Sequence, residues 1–323
     1  MKRLILIALI VVLASTAYAC NIPVFRYALE RWQPDTCELI VFHDAEFSSR
    51  DQEFVAKLKS EVGDKDGMAN ANLVVSKVED MNESYQHVWE TLRDEQGASL
   101  PYVVVRTKLG RGTTINHWHG SLGAARSANL LRSPVRKELN RRLVRGDSIV
   151  WLLLQSPDNK RTQAAKKLLN QTFKTLKTKV SLPEGIGLPG SELHSEVPLL
   201  VQFSVLEIDP SDDQEQFLVQ LLTGFEPRAV SDGEPILVPV FGRGRALEVI
   251  PARDLDSRLI EDVTLFLSAA CSCQVKAQNP GFDLLMTADW DTQLFGEDGQ
   301  RPPPAKVADP NRPPELLTLP PGR

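Results

Sequence analysis

The chain has 323 residues and a net charge of −5 at neutral pH, and 42% of its residues are hydrophobic and 24% charged. This length is sufficient for two domains. The acidic balance, together with the absence of interleaved basic and aromatic residues, argues against a nucleic-acid partner.

The first nineteen residues have the pattern of a secretory signal peptide. Two basic residues precede an apolar run over residues 4–13, and small residues lead to a cleavage point after Ala19. Because the run is too short for a stable membrane span, we expect a secreted or periplasmic chain that starts at Cys20 and has no transmembrane span. Bacterial lipoproteins are acylated on a cysteine in this position, although Ala17 stands where their signal usually has leucine. Ordinary secretion and a lipid anchor at Cys20 therefore both stay open.

Residues 20–146 alternate between helical and strand patterns. The helix PVFRYALERW comes first, followed by the buried strand CELIVFH, the helix SSRDQEFVAKLKSEVG, the strand ANLVVSKVE and the helix SYQHVWETLRDE. The fragment LPYVVVRTKLGRGTTINHWHG predicts two antiparallel strands, over residues 102–107 and 114–118, joined by a Gly-Arg-Gly turn. A last helix, SPVRKELNRRLVRG, ends at Gly146.

Residues 147–299 repeat this plan. The predicted elements are the strand SIVWLLLQS, the helix NKRTQAAKKLLNQTFKTLK, the strand VPLLVQFSVLEID, the helix QEQFLVQLLTG, the strand pair PILVPVFGRGRALEVI and the helix DSRLIEDVTLFLSAA. Pro235 takes the place of Pro101, and Gly-Arg-Gly stands again at the turn, which indicates an internal duplication. Residues 300–323 form a Pro-rich tail that we expect to be a disordered spacer or a docking ligand.

The order β-α-β-α-β-β-α with a proline before the third strand resembles the thioredoxin-like fold. The predicted fold class is therefore α/β, with two thioredoxin-like domains in tandem. The resemblance implies a cis bond at Pro101, beside the loop that follows the first strand, and His43 points toward the same loop. Active thioredoxins carry Cys-x-x-Cys there, whereas the two loops of this chain read HDAEFSS and SPDNKR. A dithiol oxidoreductase acting at that position is excluded.

Histidine and acidic residues offer few further candidates for catalysis or metal binding. His43, with Asp44 and Glu46 beside it, is the best polar candidate in the first unit, but no Ser or Cys nucleophile in a recognisable context accompanies it. We therefore name no catalytic residue. His117 and His119 alternate across one tryptophan, which predicts that both project from one face of a strand, either as an exposed pair or as two metal ligands.

The segment NPGFDLLMTADWD, residues 279–291, predicts a turn and a short apolar strand. Asp289 and Asp291 flank its tryptophan, either as ligands of a cation or as a solvated strand end.

Four cysteines are present: Cys20, Cys37, Cys271 and Cys273. In an oxidising compartment an even count predicts two disulfides, for which three pairings are open. Cys271 and Cys273 are too close in sequence to bond each other without strain. The alternative is a thiol-exchange or copper site formed by Cys271 and Cys273, with Cys20 as a third thiol, although two thiolates alone cannot complete a tetrahedral site.

The region from Arg126 to Lys179 is basic and lies between two acidic regions. Its positive side chains are Arg132, Arg136, Lys137, Arg141, Arg142 and Arg145 in one predicted helix, and Lys166, Lys167, Lys174, Lys177 and Lys179 in the next. They form either a solvated face or a surface for an anionic envelope component.

Together these patterns predict an exported, redox-inactive binding or scaffolding protein of the cell envelope rather than an enzyme, with no cofactor. The alternative function is thiol exchange or copper handling through the Cys-Ser-Cys motif. The opening CNIPVFRYALERW also resembles the start of uncharacterised secreted bacterial proteins, a resemblance that implies no activity.

Overall fold

A computed structural model describes residues 21–62, 68–108, 113–271, 275–297 and 299–303. These residues form an α/β structure with two mixed β-sheets and ten α-helices. Within the described ranges, no helix is both long enough and apolar enough to cross a bilayer.

The first half of the described chain contains five helices and four strands. The helices are α1 (Val24–Arg31), α2 (Ser49–Glu61), α3 (Glu83–Gln96), α4 (Leu122–Ser127) and α5 (Pro134–Val144). The strands are β1 (Cys37–His43), β2 (Ala71–Lys77), β3 (Tyr102–Lys108) and β4 (Thr114–Ser121).

The second half contains five helices and six strands. The helices are α6 (Asn159–Lys179), α7 (Gln216–Phe225), α8 (Pro227–Ser231), α9 (Ser257–Ser268) and α10 (Trp290–Phe295). The strands are β5 (Ile149–Leu154), β6 (Phe203–Ile208), β7 (Ile236–Phe241), β8 (Arg245–Ala246), β9 (Ile250–Pro251) and β10 (Phe282–Asp283).

Local sequence explains where several helices begin and end. The side chains of Ser48, Asn82 and Ser133 each accept a hydrogen bond from a backbone N–H in the first turn of α2, α3 and α5 respectively. Gly97 ends α3 in the left-handed conformation, with φ of 63°. Pro134 is the first residue of α5, where its missing N–H breaks no helical bond.

The two sheets share one pairing scheme. The first has the order β2-β1-β3-β4, with β1 parallel to β2 and antiparallel to β3. The second has the order β10-β8-β7-β5-β6, with β5 parallel to β6 and antiparallel to β7. Phe42 pairs with Tyr102 in the first sheet and Leu154 pairs with Ile236 in the second. Because each partner directly follows a proline, β3 and β7 begin at equivalent places.

The two halves differ at two points. β4 is continuous apart from a bulge opposite Val105 and Arg106, whereas its counterpart is divided into β8 and β9, which pair with opposite ends of β7. The bond before Pro101 is cis, the single cis bond found in the described part of the chain. The second Gly-Arg-Gly forms the turn after β7, while the first lies outside the described residues.

Three apolar clusters define a layered arrangement. The first contains the face of the first sheet that carries α2 and α5, together with α7 and one face of the second sheet. The second fills the other face of the second sheet beneath α1, α6 and α9. The third lies between the first sheet and α3. The two sheets therefore pack on a shared middle layer of helices.

The first and last described segments of the chain contact the opposite halves of the molecule. Helix α1 packs against the second sheet, and Val24 N donates to Ala269 O at 3.0 Å. The segment after β10 returns to the first half, where Asn70 N donates to Met286 O at 3.1 Å and Ala288 N donates to Met68 O at 2.9 Å. Both segments thus make contacts between the two domains that the sequence predicts on either side of residue 146. That domain boundary stays a prediction.

Candidate functional site

The loop after β1 is the one that the resemblance of the sequence to thioredoxins predicts to correspond to their dithiol loop. His43 ends β1, and its Nδ1 lies 2.9 Å from Ala45 O while its ring stacks on Phe47, with centroids 4.6 Å apart. Since Phe42 pairs with Tyr102, His43 and Pro101 occupy neighbouring strand ends. The contacts of His43 are thus made within its own loop, and they organise the turn that leads to α2.

His117 and His119 lie on opposite faces of the first sheet, so the expectation that they share a face is wrong. The register of β3 and β4 shifts between Val105 and Arg106, which places an extra residue in β4. Past this bulge, each side chain of β4 faces the side of the sheet opposite to the one it would face in a regular strand. His119 therefore meets Tyr102 on the α3 face, and His117 packs between the rings of Phe217 and Phe282 on the other face. The two imidazoles cannot bind one metal ion.

His117 belongs to a buried chain of hydrogen bonds. Its Nε2 lies 2.8 Å from Thr107 Oγ1, which lies 3.1 Å from Cys37 Sγ. Its Nδ1 is buried without a hydrogen-bond partner among the described residues. Burial, reinforced by the charge of Arg136, lowers the pKa of His117 to about 4, and burial raises the pKa of Cys37 to about 12. Both groups are therefore neutral at pH 7, which suits a structural network and not a nucleophile with its base.

His119 is half-buried, and its Nδ1 lies 2.9 Å from Tyr102 Oη. Burial lowers the pKa of His119 and raises that of Tyr102. His119 and Tyr102 are therefore both uncharged at neutral pH. They contact each other at the strand end next to Pro101.

The cysteines predicted to carry thiol chemistry are only partly within the described chain. Cys271 is 2% exposed in the apolar cluster beneath α1 and α9, and its N–H donates to Ile22 O at 2.9 Å. Cys20 and Cys273 lie outside the described residues. In the described part of the chain no group of three or more His, Cys, Asp or Glu side chains is arranged to hold a metal ion. The copper and thiol-exchange alternative stays a prediction.

Asp289 and Asp291 each have a structural partner. Asp289 Oδ1 caps α10 by accepting from Thr292 N at 3.0 Å. Asp291 pairs with Arg243 at 2.9 Å and with Arg301 at 3.4 Å. The predicted short strand is present as β10, but Asp291 lies in a helix.

The basic helix residues separate into buried and exposed groups. Arg142 reaches Glu138 at 2.7 Å and Val205 O at 2.9 Å, so it contributes to folding. Arg136 is 3% exposed, whereas Lys137 and Arg132 are exposed. The sequence pattern alone does not separate these roles, because the buried Arg136 and the exposed Lys137 are neighbours in one helix.

Arg136 organises the connection between α4 and α5. Its guanidinium donates to the carbonyl oxygens of Asn129, Leu130 and Leu285 at 2.8–3.0 Å and lies 4.6 Å from the ring centroid of Phe217. Burial lowers the pKa of Arg136 to about 10, so the group stays charged at neutral pH. Asn129 has φ of 48°, a conformation that non-glycine residues rarely adopt. The buried cation thereby fixes the shape of this connection.

A groove of about 620 Å³ follows that connection and the first turn of α5. We call it the α5 groove, and its lining residues are Met68, Asn129, Leu131, Arg132, Ser133, Pro134, Arg136, Lys137, Asn140, Gln214 and Thr287. Three of them are cations, and none of the lining residues in the described chain is acidic. The volume and the mixture of apolar and polar groups are typical of a ligand site.

Two carboxylates, those of Glu215 and Glu61, lie beside this groove without lining it. Glu215 is buried, and its Oε1 accepts from Val135 N at 2.8 Å, so one N–H of the first helical turn is already bonded. Burial raises the pKa of Glu215. Glu61 pairs with Arg132 at 3.1 Å in an adjoining hollow of about 320 Å³. An anion in the α5 groove would therefore depend on side chains, above all Lys137, rather than on the helix N-terminus.

Sequence reasoning identified the cations of this groove but not the groove itself. Asn129, Gln214 and Thr287 come from three distant parts of the chain and meet only in the folded structure. The one local signal was the Ser133-Pro134 start of α5. No protein-family model matches the chain, and no curated protein matches it.

Proposed function

We propose that the protein is a redox-inactive binding module of the cell envelope, built from two tandem thioredoxin-like units, that holds an anionic partner in the α5 groove. The strand order β2-β1-β3-β4, its repetition in the second sheet and the cis bond before Pro101 support the thioredoxin-like identity. The loops after β1 and β5 contain no cysteine, which supports the loss of dithiol chemistry.

The α5 groove is the single observation that carries the binding role. It combines an exposed lysine, Lys137, with the amide groups of Asn140 and Gln214 and with apolar contacts from Met68 and Leu131. Such a mixture gives orientation through polar groups and affinity through apolar burial. The remaining exposed cations of the basic region lie mainly on α6, which packs on the other side of the second sheet.

The test measures binding of two polyanion probes, inorganic polyphosphate and poly-L-glutamate, to the full chain. We expect the affinity to fall as salt rises from about 50 to about 300 mM, because the Debye length then shortens below about 8 Å. Lys137→Glu should weaken binding about tenfold, equivalent to about 1.4 kcal/mol. The matched control Lys174→Glu, an exposed lysine on α6, should leave it unchanged.

If Lys137→Glu and Lys174→Glu lose the same affinity for the probes, binding depends only on the overall charge of the protein. That result would overturn the role of the groove. A parallel assay follows reduction of insulin disulfides by dithiothreitol, which the protein should not accelerate. Acceleration would contradict the redox-inactive part of the proposal.

A further inference from the structure

Large apolar side chains are exposed at one end of the second sheet, where β5 and β6 begin. Of the eight such side chains most exposed in the described chain, four lie there: Leu188, Leu200, Leu265 and Phe266, with exposed fractions of 61%, 45%, 48% and 40%. The other four lie apart from them: Met68 and Val75 in the first half of the chain, Val230 in α8, and Phe225 at the end of α7, where its ring stacks on Phe282. Clustered exposed apolar side chains mark interaction surfaces, whereas scattered ones do not.

Hydrogen bonds place these residues at one end. Leu200 O accepts from Ser148 Oγ, directly before β5. Leu188 O accepts from Ser191 N at 2.8 Å, and Ser191 Oγ accepts from Asn21 N at 2.9 Å. Leu265 and Phe266 lie in the last turns of α9, which ends where Ala269 O accepts from Val24 N. All four therefore lie toward the end of the second sheet at which Asn21, the first described residue, stands.

The chain that precedes Asn21 is the most apolar part of the sequence. Its apolar run covers residues 4–13, and seven residues separate Leu13 from Asn21, a span of at most about 30 Å. An acyl group on Cys20, the residue directly before Asn21, would hold this surface at a bilayer. Of the two alternatives for the N-terminus, the lipid anchor at Cys20 directs this end of the molecule to lipid.

Charged side chains of both signs lie around this surface. The end of α6 carries the exposed lysines Lys174, Lys177 and Lys179, and the loop that follows carries the exposed glutamates Glu184, Glu192 and Glu196. Because the side chains that form the surface are apolar, adhesion would come from apolar burial and would be insensitive to salt.

We propose that this end of the second sheet, formed by Leu188, Leu200, Leu265 and Phe266, is a contact surface for a phospholipid bilayer. The α5 groove then faces away from the bilayer, because Gln214 follows the far end of β6. The proposed bilayer contact does not depend on anion binding in the α5 groove. Salt distinguishes the two, because it should weaken anion binding and leave the bilayer contact unchanged.

The first experiment uses the full chain reconstituted in phosphatidylcholine vesicles that contain brominated lipid, which quenches tryptophan on contact. A tryptophan placed by Phe266→Trp should be quenched beyond the wild-type background. The matched control Val230→Trp replaces a side chain that is 53% exposed at the opposite end of the sheet, and it should not be quenched. Absence of extra quenching in Phe266→Trp, with the protein bound to the vesicles, would overturn the proposal.

The second experiment separates a true contact from mere tethering by the N-terminal segment. A probe at Leu188→Trp should lose its quenching when Leu265→Ser and Phe266→Ser are added, and should keep it when Val230→Ser is added instead. Quenching should also persist in 1 M salt, where the Debye length is about 3 Å. If quenching at position 188 survives both serine substitutions, or disappears in high salt, the surface does not adhere through its apolar residues.

Discussion

Protonation of the buried His117 should make the protein less stable in mild acid. The pKa of this imidazole is lowered from 6.5 to about 4 by burial and by the charge of Arg136, with Asp283 acting weakly in the opposite direction. Between these pH values the unfolded chain binds a proton that the folded chain does not. Stability is therefore fully present above pH 6.5 and falls as the pH drops toward 4.

The size of the change in the free energy of unfolding follows from the shift in the pKa of His117. One pKa unit corresponds to about 1.36 kcal/mol, so the free energy of unfolding should decrease by about 3 kcal/mol between pH 7 and pH 4 through this residue alone. Urea denaturation of the wild type and of His117→Gln at both pH values isolates the contribution, because other groups titrate equally in the two proteins. The variant should lose about 3 kcal/mol less than the wild type.

The control is His87→Gln, which replaces an exposed histidine on α3 and should keep the wild-type pH dependence. Should His117→Gln fail to fold, an NMR titration of the wild type provides the same information, since the His117 ring protons should show no protonation above pH 5. Equal pH slopes for the wild type and His117→Gln, or titration of His117 near pH 6.5, would refute the reasoning.

Three further predictions concern buried groups. Glu30→Ala should destabilise the protein by about 3–5 kcal/mol in urea denaturation, because it leaves the buried guanidinium of Arg26 without its partner at 2.8 Å; a loss below about 1 kcal/mol would contradict this. Gly281→Ala should lower the melting temperature strongly, since φ is 99° and a Cβ would lie 2.2 Å from Ala246 O; an unchanged melting temperature would show that this turn relaxes. Cys37, with its pKa raised to about 12 by burial, should resist iodoacetamide at pH 8 until the protein unfolds, and peptide mass mapping that finds rapid labelling of the folded chain would count against its burial.

The order of helices and strands was predictable because each element is marked by its own residues. The continuous apolar run of β5 and the caps at Ser48 and Ser133 act within one or two turns of chain. Proline before β3 and before β7, with the same turn glycines after each, also indicated that one pairing scheme occurs twice. These signals are local, so the sequence alone determined the α/β class and the repetition of the plan.

The candidate sites depended on contacts that no local pattern records. One extra residue at the bulge in β4 moved His117 away from the face of His119 and buried it. Arg136 resembles its basic neighbours in sequence, yet it is enclosed because the carbonyl oxygen of Leu285, from a distant part of the chain, converges on it together with that of the nearby Leu130. The α5 groove likewise requires Thr287, which reaches α5 only when the chain after β10 returns to the first sheet. Such convergence is decided by tertiary packing, since burial is a property of the surroundings and not of the residue.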